Sequence, residues 1–450
     1  MTMQAEPGVA RSPGITYQQL LDADTKPVPV ALRREYPRYL GSDDMSIDRY
    51  ISKDYHDKEV ERLWKRVWQF ACREEEIPNP GDYHVYEIAQ LSFIVMRQPD
   101  MSIKSYPNAC LHRGRRLKDY DGNCSEMRCA FHGFAWTLGG ELADVPARWD
   151  FPHIETDEFH LYECQVATWA GFVFINPDQS AAPFAEFIAE MKDEFADWDL
   201  ENAYIEFRVA KVIDANWKLI QEAFCEAYHV SGTHPEVLPY LGDTNSQVDI
   251  GENMARVITP GGTPSPLLGW APTEDQMLRA MLDIRTDQEL PVTVPEGESM
   301  RALAAAMGRT RWKEAGGERA ERMSDAELMD SIDYTLFPNF HPWGAFNRIV
   351  YRFRPYGNDH RKGIMEVLFL SPFQGERPPP FKTRWLTDDE TFSAASELGL
   401  LGKVFDQDLY NMPNMQRGLE ATFKPGVTLG NYQESKVRWL NQKLDEWVLG

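Results

Sequence analysis

Cysteine is scarce in this chain of 450 residues: six are present, Cys72, Cys110, Cys124, Cys129, Cys164 and Cys225, in no disulfide-scaffold pattern. A small secreted fold held together by bridges is excluded. Long apolar runs are missing as well. The longest, VATWAGFVFI from Val166 to Ile175, falls far short of the ~20 residues that a membrane span needs and reads as a buried strand, so no membrane segment is expected. Positive charge is in deficit: 47 Lys and Arg stand against 70 Asp and Glu, a net charge of −23, whereas phosphate binding needs a basic surface. Nucleic acid is therefore not an expected partner. The opening MTMQAEPGVARSPG has no charged segment followed by an apolar one, so nothing points to secretion and the cytoplasm is the expected compartment.

What is present suits a large core. With 43% hydrophobic and 12% aromatic residues, the chain should form two or three domains. Residues 1–45, rich in Pro and charge, read as an arm that packs late or not at all. From Tyr50 to Phe70, helical spacing of Val60, Leu63, Trp64 and Val67 predicts one helix, stopped by Pro78, Pro80 and Gly81. The alternating runs YHVYEI and LSFIVMRQ then predict an antiparallel β-domain, which with its leading helix spans 46–180 and closes with WAGFVFINPD. A second domain follows over 181–450. Within it, 260–333 holds helical runs and six of the seventeen methionines, which suit irregular apolar space. Pro378-Pro379-Pro380 reads as a surface linker, and the closing helix ESKVRWLNQKLDEWV is amphipathic with no evident chemistry.

Two stretches carry chemistry. In the β-domain, Cys110-Leu-His112-Arg-Gly114 is followed by Cys129-Ala-Phe-His132-Gly133. Each loop offers one thiolate and one imidazole to a shared centre, with a glycine that permits close backbone approach. A structural zinc site is the alternative, although zinc modules usually pair Cys with Cys and His with His. The second stretch is DANWKLIQEAFCEAYHVSGTHP, from Asp214 to Pro235. On a helix, Glu222, Glu226 and His229 fall in one narrow arc, opposite Trp217, Ile220, Phe224 and Ala227. Ser231-Gly232 and Pro235 end the helix, so that His234 can converge on His229. The same polar arc also reads as a solvated stripe, with Lys218 and Glu222 as an i,i+4 ion pair.

The mixed Cys-His order resembles the Rieske [2Fe-2S] motif, in which two cysteines hold one iron and two histidines the other. That resemblance implies Cys110 and Cys129 on one iron and His112 and His132 on its more exposed neighbour. Respiratory-chain Rieske proteins carry an extra cysteine in each loop, where this chain has Arg115 and Phe131, so the likeness is to the oxygenase and ferredoxin-like branch.

The Asn-Trp-Lys start and the Glu-x3-Glu-x2-His-x4-His run resemble the mononuclear iron site of Rieske non-haem iron oxygenases, the aromatic-ring-hydroxylating family. In its large, alpha subunit the catalytic domain follows the Rieske domain in this order. The resemblance spans roughly residues 50–430 and implies an α+β protein: an antiparallel β Rieske domain, then a catalytic domain with an antiparallel sheet and helices of the helix-grip type. It implies that His229, His234 and Asp408, the last from VFDQDLYN, hold the mononuclear iron, with Asp406 as the fallback ligand. Most members have aspartate where Glu226 stands, bonded to the ligand histidine and to a cluster histidine of the neighbouring subunit. Glu226 is thus expected to couple the two centres from a side chain one methylene longer. Residues 260–333 become a candidate lid. Phe224, Leu238, Phe340 and Trp343 are expected to line the substrate pocket, walled by DYTLFPNFHPW, FNRIVYRFRP and GIMEVLFLSP.

The implied activity is that of a terminal oxygenase with a Rieske [2Fe-2S] cluster and a mononuclear Fe(II). Electrons from NAD(P)H would arrive through a ferredoxin, a flavin reductase or both, and O2 would be added to a small hydrophobic organic substrate by ring dihydroxylation. Monooxygenation, including oxidative N- or O-dealkylation, is the alternative, and a non-catalytic Rieske electron carrier a remote third reading. A homotrimer is implied, with room for a small beta subunit. Arg113, Arg115, Arg116 and Lys118, beside the cluster motif, form a basic run suited to docking an acidic donor, though they also read as paired with Asp119 and Asp121.

Overall fold

The computed structural model describes residues 8–198, 200–345, 349–373, 375–379 and 381–450, except the side chains of 314–316. Helices accompany sheets that are antiparallel almost throughout, the α+β organisation expected. Among the described residues no helix is long and apolar enough to cross a membrane. The start of the run FNRIVYRFRP, residues 346–348, and Pro380 of the proline run lie outside the described residues.

The N-terminal half is built from three small sheets. Ile103–Pro107, Leu91–Arg97, Asp82–Ile88 and Gly122–Asn123 form one; Met127–Arg128, Ala135–Trp136 and Leu142–Asp144 form the second. The third contains the long apolar run, which is a hairpin rather than a single strand: Gln165–Trp169 pairs with Phe172–Asn176. Ala170 and Gly171 both take positive φ, 52° and 79°, the geometry of a tight two-residue hairpin turn. Gln69–Arg73 completes this sheet. The leading helix is accordingly shorter than its periodicity suggests. It runs over Asp48–Ile51 and Lys53–Glu59, widens into a π turn over Val60–Trp64 and gives way to the strand. The apolar positions are nonetheless buried as the spacing requires, and Trp64 packs edge-on against Trp217 at 5.2 Å.

The C-terminal half is organised by an eight-stranded sheet, in the order Gln247–Ile250, Met254–Thr259, Ser331–Leu336, Phe340–Pro342, Ile349–Tyr356, Asp359–Pro372, Ala203–Ile213 and Arg384–Trp385. Strand alternation divides its residues between two cores. Ile332, Tyr334, Leu336, Phe340 and Val350 join an aromatic cluster with Phe70, Phe172 and Phe174 of the N-terminal half. Val257, Ile349, Tyr351, Phe353 and Val367 face the other way, toward Trp217, Ile220 and the helix Leu400–Ala421. Arg352 ties the halves together: it donates to the Phe70 and Ala71 carbonyls at 3.1 and 2.6 Å and pairs with Glu366 at 2.5 Å.

The N-terminal arm corrects its expectation, since Tyr17, Leu21 and Leu32 are buried in the aromatic cluster. The reason is a buried cation: Arg256, inside the sheet, donates to the carbonyls of Ala31 and Arg34 at 2.9 and 2.7 Å. Between 260 and 333, Met277 and Met300 form a separate small core with Met281 and Met329 packed against it, so the methionines of these helices do fill space.

Candidate functional site

The two Cys-His loops are copies of one another in backbone geometry. The Cys110 N–H donates to the Arg115 carbonyl at 2.8 Å and the Gly114 N–H returns to the Cys110 carbonyl at 2.8 Å; Cys129 with Phe134, and Gly133 with Cys129, repeat the pattern at 2.8 and 3.0 Å. Gly114 and Gly133 close these turns at φ of 77° and 81°, values a side chain resists. Backbone N–H groups of His112 and Arg113 point at the Cys110 sulfur, and those of Phe131 and His132 at the Cys129 sulfur. Burial raises both thiols; at Cys129 the two N–H groups and the Cys110 thiol outweigh it and bring the pKa down, while Cys110 stays raised. The loops bring the imidazoles together, with His112 and His132 ring centroids 4.7 Å apart. Burial, then His132 and Arg113, lowers the His112 pKa, and its Nδ1 is buried without a hydrogen-bond partner. Two thiols and two imidazoles, one with an unclaimed ring nitrogen, fit a Rieske cluster.

The basic run beside these loops is partly neutralised. Arg115 pairs with Asp119 at 2.7 Å and Arg116 with Glu87 at 2.6 Å. Arg113 and Lys118 instead lie over the rings of Phe131 and Tyr83.

The stretch from Asp214 to Pro235 is not one helix. A six-residue helix, Trp217–Glu222, capped by the Asn216 side chain, breaks into turns, and a second short helix spans Val230–Thr233. The break ends the helical arc at Glu222, although Glu222 still lines one open cavity with Glu226 and His229. Glu222 accepts from the Tyr50 hydroxyl at 2.9 and 3.0 Å and from Asn441 Nδ2 at 2.9 Å, and burial pushes its carboxyl up to about 7. Nor does Lys218 pair with it: fully buried, Lys218 bonds Glu59 at 2.6 Å. The solvated-stripe reading therefore fails for both residues.

His229 and His234 do converge, and Asp408 comes to them from the helix Leu400–Ala421. Asp408 Oδ1 lies 3.7 Å from His229 Nε2 and 3.1 Å from His234 Nε2, and the three ligand atoms fall within 4.8 Å of one another. The outward nitrogens are claimed. His229 Nδ1 meets Glu226 Oε1 at 2.7 Å, and the other Glu226 oxygen accepts the His229 backbone N–H at 2.9 Å. His234 Nδ1 meets Gln407 Oε1 at 2.6 Å, while Gln407 Nε2 donates to Glu236 at 2.8 Å. An amide oxygen only accepts, so His234 carries a proton on Nδ1, which leaves Nε2, the atom facing Asp408, as the one that would ligate a metal at the shared position. Burial acts to lower both histidines, but Glu226 outweighs it for His229 and Asp408 for His234, leaving both raised. Asp406 points elsewhere: it accepts from Phe392 N at 2.6 Å and Thr391 Oγ1 at 2.9 Å, anchoring the short turn Phe392–Ala394.

An open cavity of about 810 Å³ adjoins this site, lined by Glu222, Glu226, His229, Asp408, Met412 and Met415 among others. Of the four expected pocket residues, Phe224 packs on Tyr351, Phe353 and Phe405, with centroids 4.8, 5.3 and 6.0 Å away, and Leu238 packs with Ala227 and Val230 beside His229. Trp343 stacks edge-on to Tyr351 at 5.9 Å. None of the four is among the residues that line this cavity, and Phe340 is turned away from it altogether. It sits on the opposite face of the sheet, 5.2 Å from Phe70 and 4.8 Å from Phe172, so the register removes it from the iron side. Gln407, Lys436 and Asn441 went unnoticed in the sequence, although Gln407 adjoins Asp408 in VFDQDLYN and offered a signal.

A thiol-imidazole cluster site and a two-histidine, one-carboxylate site in one chain define a two-centre iron protein of the Rieske oxygenase class. Comparison with known proteins agrees. The Rieske [2Fe-2S] domain profile matches residues 67–155, and that of the ring hydroxylating alpha subunit (catalytic domain) matches residues 193–450. The chain belongs to the ring-hydroxylating alpha-subunit family. It has both the Rieske domain and the catalytic domain of mononuclear iron oxygenases. It is 35% identical to the chlorobenzene dioxygenase alpha subunit of Cupriavidus sp. (strain PS12) over 41% of this chain and 42% of that one, so the match spans less than half of that relative. With the biphenyl dioxygenase alpha subunit of Paraburkholderia xenovorans (strain LB400) it shares 26% identity over 83% of this chain and 79% of the relative. Naphthalene 1,2-dioxygenase with indole bound superposes with a TM-score of 0.61 at 17% identity, covering 93% of this chain and 95% of that one. A quaternary ammonium Rieske monooxygenase gives 0.63 at 16%, covering 90% and 95%. At such identities the structural likeness concerns the fold.

Proposed function

We propose that this protein is the terminal oxygenase subunit of a ring-hydroxylating dioxygenase, acting on an aromatic or similarly hydrophobic small molecule. The observation that carries the reading is the pairing of His229, His234 and Asp408 around one point, with both histidine Nδ1 atoms held from behind, in a chain that also has the Cys110, His112, Cys129 and His132 loops. In this reading the first three residues hold the mononuclear iron and the other four the cluster. Bound there, the two centres supply stored electrons and the reductive activation of O2.

The remaining work falls to the chain. Glu226 and Gln407 fix the two imidazole planes and keep each Nε2 lone pair available. Phe224 and Trp343 present flat apolar faces on the iron side of the sheet, suited to orienting an aromatic ring. Glu226 also lines the 810 Å³ cavity, whose rim exposes Tyr228 and Met415. The cluster loops in turn present the exposed Phe131, with Trp149 exposed further along the same half. These two apolar surfaces suit a head-to-tail homotrimer, in which the cluster end of one subunit meets the Glu226 side of the next. The cytoplasm is the compartment for such a chain, with or without a beta subunit. A ferredoxin or flavin reductase fed by NAD(P)H would dock beside Arg113 and Lys118, the two cations of the basic run paired with no carboxylate among the described residues.

Product mass from 18O2 tests the reading. Purified holoprotein with a reconstituted electron-transfer chain should add two labelled oxygens to an arene. One labelled oxygen would establish monooxygenation at the same site, and absence of substrate-stimulated O2 uptake across an arene panel would refute the oxygenase assignment.

A further inference from the structure

On the sheet face turned toward Phe224, Asp333, Thr335, His341 and Trp343 form a polar group, and none of them is a ligand of the iron site. Asp333 and Trp343 oppose each other across an antiparallel bridge, and His341 is the register partner of Tyr351. Directly opposed residues share a face, so each pair projects to one side, and the packing of Trp343 on Tyr351 puts all four on the same side. Lys436, fully buried, reaches in from the helix Ser435–Val448 and donates to Asp333 Oδ2 at 2.8 Å and to the Asp333 carbonyl at 3.1 Å. Thr335 Oγ1 bonds His341 Nδ1 at 2.9 Å.

Three buried polar atoms are then left over: Asp333 Oδ1, His341 Nε2 and Trp343 Nε1 make no hydrogen bond. Asp333 and His341 are 4% and 0% exposed, so bulk water does not serve them. The group lies close to the iron site. Tyr351 packs on Trp343 and on Phe224, with centroids 5.9 and 4.8 Å away, and on Phe405, 6.0 Å away, which lies three residues before Asp408 on the same helix. Native interiors pair their polar groups, and open ones gathered beside a reaction centre mark a site that a ligand completes.

We propose that the substrate of this oxygenase carries a neutral polar group, a hydroxyl or a carboxamide on its ring, whose hydrogen Asp333 Oδ1 accepts and whose oxygen accepts from Trp343 Nε1. The proposal rests on the oxygenase reading above and narrows its substrate class. Charge sorts the alternatives. A carboxylate or sulfonate would meet the Asp333 carboxylate, an ammonium would meet the Lys436 cation paired with it, and a bare hydrocarbon would leave both Asp333 Oδ1 and Trp343 Nε1 unpaired. A site built to bond an O–H or N–H rejects the analogue that lacks it more strongly than an apolar pocket rejects one methyl.

Calorimetric binding to holoprotein, with both metal centres loaded, tests this with phenol, benzamide, toluene and benzoate as probes. Phenol or benzamide should bind at least about tenfold more tightly than toluene, and benzoate more weakly than either. In Trp343→Phe, which deletes the indole N–H and keeps an aromatic ring, the preference over toluene should collapse toward one. Equal affinities for phenol, benzamide and toluene in the wild type, or a preference untouched by Trp343→Phe, would overturn the proposal. Failure of the oxygenase reading itself looks different. In that case no arene accelerates O2-dependent oxidation of the reduced cluster, whereas failure of the polar-group proposal leaves that acceleration in place with toluene as effective as phenol.

Discussion

Replacing Glu226 by glutamine tests how the iron site is held. Both carboxylate oxygens serve one histidine: Oε1 accepts from the His229 ring at 2.7 Å and Oε2 from the His229 backbone N–H at 2.9 Å. An amide has one oxygen. Whichever way it turns, an NH2 group faces a donor, so one charge-assisted hydrogen bond, about 1.5–3 kcal/mol, is lost and a repulsive contact replaces it. Because partners of metal-bound histidines typically contribute 10–100-fold to metal affinity or activity, Glu226→Gln should retain iron about 10–100-fold more weakly or turn over that much more slowly. The assay is iron content after dialysis against a graded chelator, read beside cluster absorbance, followed by single-turnover oxidation of the reduced cluster with substrate and O2. Glu226→Asp keeps two acceptors on a shorter arm and should lie between the wild type and the amide. Wild-type iron retention together with wild-type single-turnover rate in Glu226→Gln would refute the reasoning.

Other substitutions separate roles that neighbouring residues play. Asp408→Ala should abolish product while the cluster spectrum stays normal; Asp406→Ala should keep activity and lose about 1 kcal/mol of stability in urea unfolding, the usual cost of a lost turn-capping carboxylate. Lys218→Met strands the fully buried Glu59 and should destabilise by about 3–5 kcal/mol, whereas the double change Lys218→Met, Glu59→Leu should recover most of that loss in the same unfolding experiment. Glu222 has a folded pKa raised to about 7, so the folded state holds a proton that the unfolded state releases at lower pH. Stability should therefore fall as pH rises from the ordinary glutamate range to about 7 and level off above it. Glu222→Gln should shrink that fall by up to about 3 kcal/mol, read from denaturant midpoints at several pH values.

What the sequence made legible was what lies close along the chain. The Cys-His loops and the His229 and His234 pair announce themselves because each set of ligands is carried within a few residues, with turn-forming glycine or proline nearby. Asp408 was reachable through its local VFDQDLYN pattern, but the choice against Asp406 needed the turn at Phe392–Ala394, which only the fold brings near. Helical periodicity assigned Glu222 and His229 to one arc because it cannot register a break after Glu222. Phe340 and His341 are adjacent in sequence and face opposite cores, and nothing short of the strand register tells which looks toward the iron. Lys218 with Glu59, Lys436 with Asp333 and Asn441 with Glu222 join segments more than a hundred residues apart, beyond the reach of any local pattern.

The helix Ser435–Val448 gives the protein a schedule as well as a shape. Its Lys436 neutralises the Asp333 carboxylate and its Asn441 donates to the Glu222 carboxyl, yet Lys436 follows Asp333 by 103 residues and Asn441 follows Glu222 by 219. Until they emerge, Asp333 lacks its cation and Glu222 has only the Tyr50 hydroxyl, and the sheet that carries Asp333 must wait in a loosened state. Ribosome-bound chains stalled before Lys436 should thus be open to proteases between Gln247 and Trp343, and released chains that include the helix Ser435–Val448 resistant. The catalytic half would then commit to its fold only once the helix Ser435–Val448 has been made, while the cluster-bearing half, finished some 250 residues earlier, is already available to chaperones and to iron-sulfur assembly.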